Sequence, residues 1–421
     1  MFYIVARLSY HEAHQNTIRK YSASRKVICV KITDVKAHLL SCPYPSDFRW
    51  DLGLGSGVKR DEVIVFVETD EGVTGIGESY HGFAPEAIKS YVENYYKPLL
   101  VGQDPSDIEG LWNKMYFATL QHGNAGVLAV SGVNVALWDI RGKVLGEPVY
   151  KLLGGSHKTR IPAYIGCHCF GWKAPELLLE EARGYVAKGF KAIKLRGGMG
   201  VHRDLEAVRV CREGLGPDIA IMIDANSAYT APEAVQLARM LTEYDTFFFE
   251  SPFDFTLHNH HRDMARLRGM NATPIASGGN LFTRFQYRDL ILHGGVDYVT
   301  PDAGKCGGLS EAIRIASMAS AFGVLIAPHS TAGLNMMANL HFTAAIPDHI
   351  MCYMEWDEAS FCPPRDEVLT NPIAVENGYL VLPDKPGLGT EINPEALEKY
   401  PFIPGAEIVS KPRTRRWASA E

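Results

Sequence analysis

The spacing of hydrophobic and polar positions changes along the chain. From Val27 to about residue 80, apolar residues alternate with polar ones or form short runs, which is typical of β-strands. Residues 62–75 predict two antiparallel strands joined by a turn at Asp70-Glu71-Gly72. Helical spacing follows over residues 85–96, 108–120 and 126–145. We therefore predict an α+β domain over residues 27–155.

A different pattern begins after Gly155. Short apolar strands alternate with longer amphipathic stretches, and the strands recur roughly every 22 to 30 residues, as a barrel of βα units requires. They begin near residues 161, 192, 219, 247, 274, 298, 324 and 350. We predict a (β/α)8 barrel over residues 156–370. A doubly wound open sheet is the alternative, but no glycine-rich dinucleotide fingerprint follows the first strand.

Between the first predicted strands lies a stretch rich in Gly, Pro and aromatic residues. It runs over residues 43–57 and contains Arg49 and Trp50. A connection of this length is longer than a compact fold needs, so we expect either a lid or a disordered loop.

Charged and polar residues end the strands of the predicted barrel. Lys194 and Arg196 stand two positions apart, so they point to the same face of one strand and need an anion to offset their charges. The other strand ends carry Asp224, Glu250, Gly278-Gly279-Asn280, Asp302, His329 and Glu355. Singly, each could be a helix cap or a turn residue. Because the carboxyl ends of barrel strands share one rim, the set predicts an active site.

Composition excludes several classes of protein. A net charge of −6 gives no broad basic face for nucleic acid. No apolar run reaches the ~20 residues that cross a bilayer. Eight cysteines are scattered without a CxxC pair, which predicts reduced thiols and a cytoplasmic location. Residues 1–26 lack the apolar core and cleavage site of a signal peptide, and we expect an extra arm there.

These motifs resemble the enolase superfamily, specifically its mandelate racemase subgroup. Lys194-Leu195-Arg196 is similar to the Lys-x-Lys motif on the family's second barrel strand, and residues 71–78 resemble the signature of its capping domain. The similarity extends from about residue 30 to residue 400. It implies a modified (β/α)8 (TIM) barrel with an N-terminal α+β capping domain, completed by a C-terminal segment over residues 371–421.

The resemblance also implies a role for each strand end. Asp224 and Glu250 are similar to the first two ligands of the family's Mg²⁺ ion, and Asp302 and His329 to its Asp-His dyad. Glu355 is similar to the glutamate that hydrogen-bonds the substrate carboxylate. The implied cofactor is therefore Mg²⁺.

Two positions depart from the family pattern. The third metal ligand is a glutamate in the family, but Gly279 stands in its place, so we expect Asn280 or a water molecule to serve instead. Arg196 replaces a lysine that can act as a base. A guanidinium stays protonated, so Arg196 can hold an oxyanion but cannot remove a proton. His329, oriented by Asp302, is left as the general base.

A single base favours dehydration over racemisation, which needs acid and base groups on opposite faces of the substrate. We predict an Mg²⁺-dependent dehydratase, a lyase, that acts on a small acid sugar (an aldonate or aldarate). His329 would take the proton α to the carboxylate, and loss of the β-hydroxyl would give a 2-keto-3-deoxy acid. Arg49, Trp50 and His81 are predicted to bind the distal part of the substrate.

Two alternatives stay open. An epimerase, racemase or cycloisomerase would need a second base, such as Lys194 or Tyr164. A degenerate homologue would have lost its metal site at Gly279. In every case we expect a small-molecule ligand, a homo-oligomer, and no nucleic-acid or membrane partner.

Overall fold

The computed structural model describes most of the chain. The described residues are 30–45, 50–52, 55–121, 123–155, 157–253, 260–270, 273–330, 333–358 and 362–409. Among their helices, none has the length and apolar character that crossing a bilayer requires. The cysteines at positions 42, 167, 169, 211, 306, 352 and 362 are free thiols.

The first domain is built on an antiparallel sheet. Its strands are β1 (Ile32–Pro43), β2 (Trp50–Leu52), β3 (Gly55–Gly57), β4 (Lys59–Thr69) and β5 (Thr74–Ser79). The larger sheet has the order β1-β4-β5, and the predicted turn at residues 70–72 joins β4 to β5. A Cβ on Gly77 would collide with the carbonyl oxygen of Gly132, so glycine lets β5 lie directly against the helix that follows.

Helices cover one face of this sheet. They are α1 (Pro85–Ser90), α2 (Lys97–Leu100), α3 (Ile108–Ala118), α4 (Gly123–Leu145) and α5 (Val149–Leu152). A π-helical turn, Tyr91–Tyr96, joins α1 to α2. The three predicted helices are confirmed, and the first of them continues further than its spacing indicated.

The second domain is a closed parallel barrel. Its strands are β6 (Arg160–Ile165), β7 (Ala192–Arg196), β8 (Ala220–Asp224), β9 (Phe248–Glu250), β10 (Ile275–Ser277), β11 (Tyr298–Val299), β12 (Leu325–Ile326) and β13 (Met354–Trp356). Neighbours pair in sequence order from β6 to β12, and β13 pairs with β6. A bridge between Ile326 and Met351 closes the circle. The predicted barrel is confirmed, and closure excludes the open-sheet alternative.

Helices connect the barrel strands on the outside. They are α6 (Pro175–Ala187), α7 (Val201–Leu215), α8 (Ala231–Leu241), α9 (His260–Gly269), α10 (Thr283–Leu292), α11 (Leu309–Ala321) and α12 (Leu334–Ala345). The last helices and strands are α13 (Pro364–Glu367), β14 (Val375–Glu376), β15 (Tyr379–Val381), α14 (Pro394–Lys399) and β16 (Ile408–Val409).

The stretch over residues 43–57, expected to be a loop, contains two short strands. β2 pairs with β3, and β3 pairs with β16, so a small antiparallel sheet joins this stretch to residues near the end of the chain. Strands of three residues are too short to show an alternating pattern, which is why the sequence did not indicate them. Whether the stretch acts as a lid stays a prediction.

The capping helices hold the barrel loop between β11 and α11. Trp112 of α3 donates an indole hydrogen bond to the carbonyl oxygen of Gly307 at 2.7 Å. The amide of Gly307 donates to the hydroxyl of Ser131 at 2.9 Å, and the amide of Ser310 donates to the side chain of Asn134 at 3.1 Å. The loop is therefore fixed by side chains of the other domain.

Candidate active site

The carboxyl ends of the barrel strands meet at a cavity of about 510 Å³ beneath the capping domain. The predicted residues that line it are Arg196, Asp224, Glu250, Gly279, Asn280 and His329. Strand register accounts for much of this convergence, because Arg196 pairs with Asp224 across β7 and β8, and Asp224 with Glu250 across β8 and β9. Lys194, Asp302 and Glu355 are buried directly behind these residues.

Lys194 is the centre of a buried ion-pair network. Its Nζ lies 2.7 Å from Glu250 Oε2 and 2.8 Å from Glu355 Oε1, and the side chain is fully buried. Burial lowers the pKa of the lysine, but the two carboxylates more than reverse this and hold it well above its usual value. Tyr164 Oη lies 3.2 Å from the same ammonium, on the side of the barrel interior. Lys194 is therefore protonated and fixed in place.

Arg196 is held by two acceptors. Its Nη1 donates to Asp224 Oδ2 at 2.5 Å, and its Nε donates to the carbonyl oxygen of Cys167 at 2.8 Å. Cys167 lies two residues after the end of the first barrel strand and has a left-handed backbone conformation with φ of 54°. This conformation turns its carbonyl towards Arg196. The guanidinium is thus a fixed positive charge at the cavity wall.

Asp224 at the end of β8 and Glu250 at the end of β9 are both buried. Burial raises the pKa of Glu250 to about 7; Lys194 opposes this, while Asp224 and Glu355 add to it. Glu355 behaves in the opposite way. Burial acts to raise its pKa, but Lys194, His329 and Arg196 together hold it below its usual value. Glu355 is therefore ionised. The raised pKa of Glu250 shows that an additional cation beside it would stabilise its charged form.

His329 and Asp302 form a hydrogen-bonded dyad. His329 Nδ1 lies 2.7 Å from Asp302 Oδ2, and 20% of the His329 side chain is exposed, on the cavity side. Asp302 Oδ1 accepts from the side-chain amides of Asn335 and Asn339 at 2.9 and 3.1 Å. These bonds fix the carboxylate, which orients the imidazole so that Nε2 is the nitrogen left for a proton in the cavity.

Of the three predicted substrate-binding residues, only His81 has a described side chain. Arg49 lies outside the described residues, and Trp50 is described only as the first residue of β2. His81 is 1% exposed, does not line the cavity, and forms an ion pair with Glu407 at 2.7 Å. Its neighbour Tyr80 lines the cavity instead. The geometry gives no support for substrate contact by His81.

Two cations at the cavity were not predicted. Arg60 is the second residue of β4, and Lys305 stands three residues after Asp302; each is 3% exposed. The ammonium of Lys305 donates to Asn280 Oδ1 at 3.2 Å and lies 3.9 Å from the centre of the Tyr80 ring. Burial lowers the pKa of Lys305 to about 8, with Asp302 opposing the shift and Arg60 adding to it.

Comparison with known proteins agrees with this geometry. Residues 44–154 match the family described as "Mandelate racemase / muconate lactonizing enzyme, N-terminal domain". Residues 177–396 match the family described as "Enolase C-terminal domain-like". The chain belongs to the mandelate racemase family of the enolase superfamily. It is therefore an enzyme with the capping domain and barrel that its sequence predicted.

Two named relatives and one solved structure are similar to this chain over most of its length. The arabinonate dehydratase of Saccharolobus solfataricus is 38% identical over 88% of this chain and 99% of its own length. The D-galactarolactone cycloisomerase of Agrobacterium fabrum is 35% identical over 88% of this chain and 99% of its own length. A crystal structure of an enolase superfamily member from Polaromonas sp. JS666 superposes with a TM-score of 0.85 at 39% identity, covering 90% of this chain and 100% of that one.

Mandelate racemase family members generally use Mg²⁺, and the donor set of this cavity fits that ion. Asp224 and Glu250 are neighbouring carboxylates on the rim, and the amide oxygen of Asn280 borders the same cavity. Oxygen donors with carboxylate charge are the ligands that Mg²⁺ prefers. A divalent cation would also favour the charged form of Glu250, whose pKa burial raises to about 7. Asn280 Oδ1 accepts a hydrogen bond from Lys305, and its second lone pair is free for a metal ion.

Gly279 makes the metal affinity testable. A Cβ at this position would lie 3.1 Å from His329 Cδ2, so a larger residue fits only if His329 shifts by a few tenths of an ångström. We expect Gly279→Glu to tighten Mg²⁺ binding about tenfold or more, since a third carboxylate adds charge to the donor set. Calorimetric titration with Mg²⁺ measures this. Gly279→Ala is the matched control, because it crowds His329 without adding a ligand. Equal affinity in both variants would contradict the expectation.

Proposed function

We propose that this chain is an Mg²⁺-dependent acid-sugar dehydratase, a lyase in which His329 is the general base. The observation that carries the proposal is the asymmetry between the two sides of the cavity. On the β7 side, Lys194 is fixed between two carboxylates and Arg196 is a permanent cation. On the opposite side, the imidazole of His329 faces the cavity and is oriented by Asp302. Proton removal is thus assigned to one side.

The proposed reaction begins at the hydrogen next to the substrate carboxylate. This hydrogen is very weakly acidic, because its removal places a second negative charge on the carboxylate oxygens. When bound, Mg²⁺ supplies Lewis-acid stabilisation of that charge. Arg196 and Lys194 add fixed positive charge beside the same oxygens. None of these groups needs to move during the reaction, which is the arrangement that lowers a barrier most effectively.

His329 handles the protons in both steps. Its Nε2 takes the α-proton, and Asp302 stabilises the resulting imidazolium through Nδ1. The electron pair of the broken C–H bond forms the carbon–carbon double bond as the β-hydroxyl leaves. His329 returns its proton to that hydroxyl, so water departs and the imidazole is neutral again. The enol product then tautomerises to a 2-keto-3-deoxy acid.

The names of the relatives support the same reaction class. The arabinonate dehydratase is similar over nearly its whole length, and its name describes loss of water from an acid sugar. The test is incubation of the protein and Mg²⁺ with a library of aldonates and aldarates, followed by semicarbazide detection of 2-keto acids. Formation of a keto acid from at least one member supports the proposal. Absence of keto acid from every member would overturn it.

A cycloisomerase is the second candidate, because one relative of similar identity carries that name. The two reactions share removal of the α-proton and differ in what leaves the β-carbon. Incubation with acid-sugar lactones and, separately, with the open-chain acids separates them. A cycloisomerase would expel the ring oxygen of the lactone, so a keto acid isomeric with the lactone would form from the lactone and not from the open-chain acid, whereas a dehydratase would form a keto acid from the open-chain acid with loss of water.

The pH dependence of the reaction follows from the state of His329. Burial lowers its pKa from 6.5, and Lys305 adds to the shift against the opposing effect of Asp302. The base must be neutral to accept a proton, so kcat/KM should rise with pH through a midpoint below 6.5 and then level off. A pH profile of kcat/KM measures this midpoint. A midpoint above about 7 would contradict the assignment.

A further inference from the structure

Two cations line the cavity in addition to Arg196. Arg60 comes from the capping domain and Lys305 from the loop after β11, and both border the cavity together with Tyr80. The amide of Tyr80 donates to the carbonyl oxygen of Gly304 at 2.9 Å, which ties the capping strand to the loop that carries Lys305. We call Arg60 and Lys305 the upper cation pair.

Among the residues that the structure describes, the upper cation pair lacks the carboxylate partners that Lys194 and Arg196 have. In the ranges described above, no residue accepts a hydrogen bond from Nε or Nη2 of Arg60. Glu407 is the strongest negative charge acting on Arg60, but its carboxylate lies against His81 at 2.7 Å. Lys305 contacts an amide oxygen and a ring face, and among the described residues no carboxylate forms an ion pair with it.

The contrast with the barrel cations is informative. Lys194 and Arg196 each form a short ion pair with a carboxylate of the rim. Arg60 and Lys305 are as deeply buried, and in the described part of the chain neither has such a pair. Burying a cation without a counter-charge is costly, so proteins normally supply one. Glu407 and Asp302 act on these cations only at a distance. Both side chains line the cavity, where a bound ligand can supply the direct ion pair that the described residues do not.

Resting on the proposed function, we infer that the upper cation pair binds a second acidic group of the substrate. The substrate class is then an acid sugar with two negative charges, one at each end. Its reacting carboxylate lies at Arg196 and the metal ligands, and its second acidic group lies at Arg60 and Lys305. A cavity of about 510 Å³ is within the usual range for small-molecule sites and accommodates a five- or six-carbon chain.

The second acidic group has two chemical sources, a terminal carboxylate and a terminal phosphate. Both present oxygen acceptors to a guanidinium and an ammonium. The assay therefore uses sets of five- and six-carbon aldonates, aldarates and ω-phosphorylated aldonates with matched configuration. Within one set, the compounds differ only in the terminal group. The ratio of kcat/KM for the doubly and singly charged members measures the contribution of that group.

For the wild-type protein we expect at least one doubly charged compound to be preferred about 100-fold over its singly charged match, as a charged hydrogen-bond pair can provide. Lys305→Met should reduce this preference at least tenfold, and Arg60→Gln should act in the same direction. Lys305→Arg keeps the charge and should retain most of the preference. Lys151→Met, an exposed lysine on α5, is the matched control and should leave the ratio unchanged.

The outcomes are distinguishable. Equal use of singly and doubly charged substrates by the wild type would overturn the inference, and so would an equal loss on both classes in Lys305→Met. Calorimetric binding of the same compounds separates this inference from the dehydratase proposal. If no compound is dehydrated, tighter binding of the doubly charged members that depends on Lys305 supports the anion site and overturns only the reaction. Dehydration of aldonates without any charge preference supports the reaction and overturns the site.

Discussion

Replacement of His329 by asparagine is expected to lower kcat by about two to four orders of magnitude, the usual contribution of a general base. Asparagine can still hydrogen-bond Asp302, but it cannot take up the α-proton. The side chain is partly exposed at the cavity, so the fold should be kept. The 2-keto acid assay at saturating substrate measures the loss, and circular dichroism verifies the fold.

Two controls sharpen this result. His202→Asn, on the exposed face of α7, makes the same chemical change and should keep full activity. Asp302→Asn combined with His329→Asn should cost little more than His329→Asn alone, because the two residues act as one unit and their effects are not additive. Near-normal activity in His329→Asn would refute its role as the base.

Lys194→Met is expected to destabilise the protein by about 3–5 kcal/mol at neutral pH, the usual result when one partner of a buried ion pair is removed. The ammonium lies within 2.8 Å of both Glu250 and Glu355, so its loss leaves two buried carboxylates without their main counter-charge. Urea unfolding monitored by fluorescence measures the change. Activity should be lost as well, because the substrate carboxylate loses a neighbouring cation.

The destabilisation should depend on pH in a defined direction. In the wild-type protein the pKa of Glu355 is held below its usual 4.5, so its ion pairing stabilises the fold above that value and is lost as pH falls through the lower, folded pKa. Without Lys194 this pKa rises, and the carboxyl becomes neutral at higher pH. The difference between variant and wild type should therefore shrink as pH is lowered towards 4.

An exposed ion pair provides the comparison for this variant. Lys188 pairs with Glu358 at 3.1 Å, but more than half of the Lys188 side chain is exposed. Lys188→Met should change stability by no more than about 1 kcal/mol. If Lys194→Met changes the free energy of unfolding by a similarly small amount at pH 7, the buried ion-pair network does not contribute to the stability of the fold.

The strand ends could be predicted because two regular features determine their positions. A barrel places the carboxyl ends of all its strands on one rim, and parallel register sets Arg196, Asp224 and Glu250 side by side. Both features follow from the recurrence of strands along the sequence. Because Lys194 is buried behind the rim, its ammonium needs carboxylate partners, and Glu250 and Glu355 supply them. This part of the site required no knowledge of contacts between distant segments.

The capping side could not be predicted in the same way. The run Lys59-Arg60-Asp61-Glu62 has the composition of a solvated strand end, yet all four side chains are buried against the barrel and the C-terminal residues. Their burial depends on the docking of two domains, which local patterns do not encode. The sequence predicts His81 as a substrate contact, whereas the adjacent Tyr80 is the residue that lines the cavity. The domain bounds, the homo-oligomer and the individual residue roles stay predictions.

The hydrogen bonds that Trp112 donates to the loop after β11, and that Ser131 and Asn134 accept from it, affect how new activities could arise on this scaffold. That loop lies between Asp302, which is hydrogen-bonded to His329, and α11, and it also carries Lys305. A chimera that joins this barrel to the capping domain of a relative would therefore inherit a misplaced catalytic loop unless these three donors and acceptors are retained. Recombination between relatives is expected to succeed only when this small set of contacts is exchanged together with the domain.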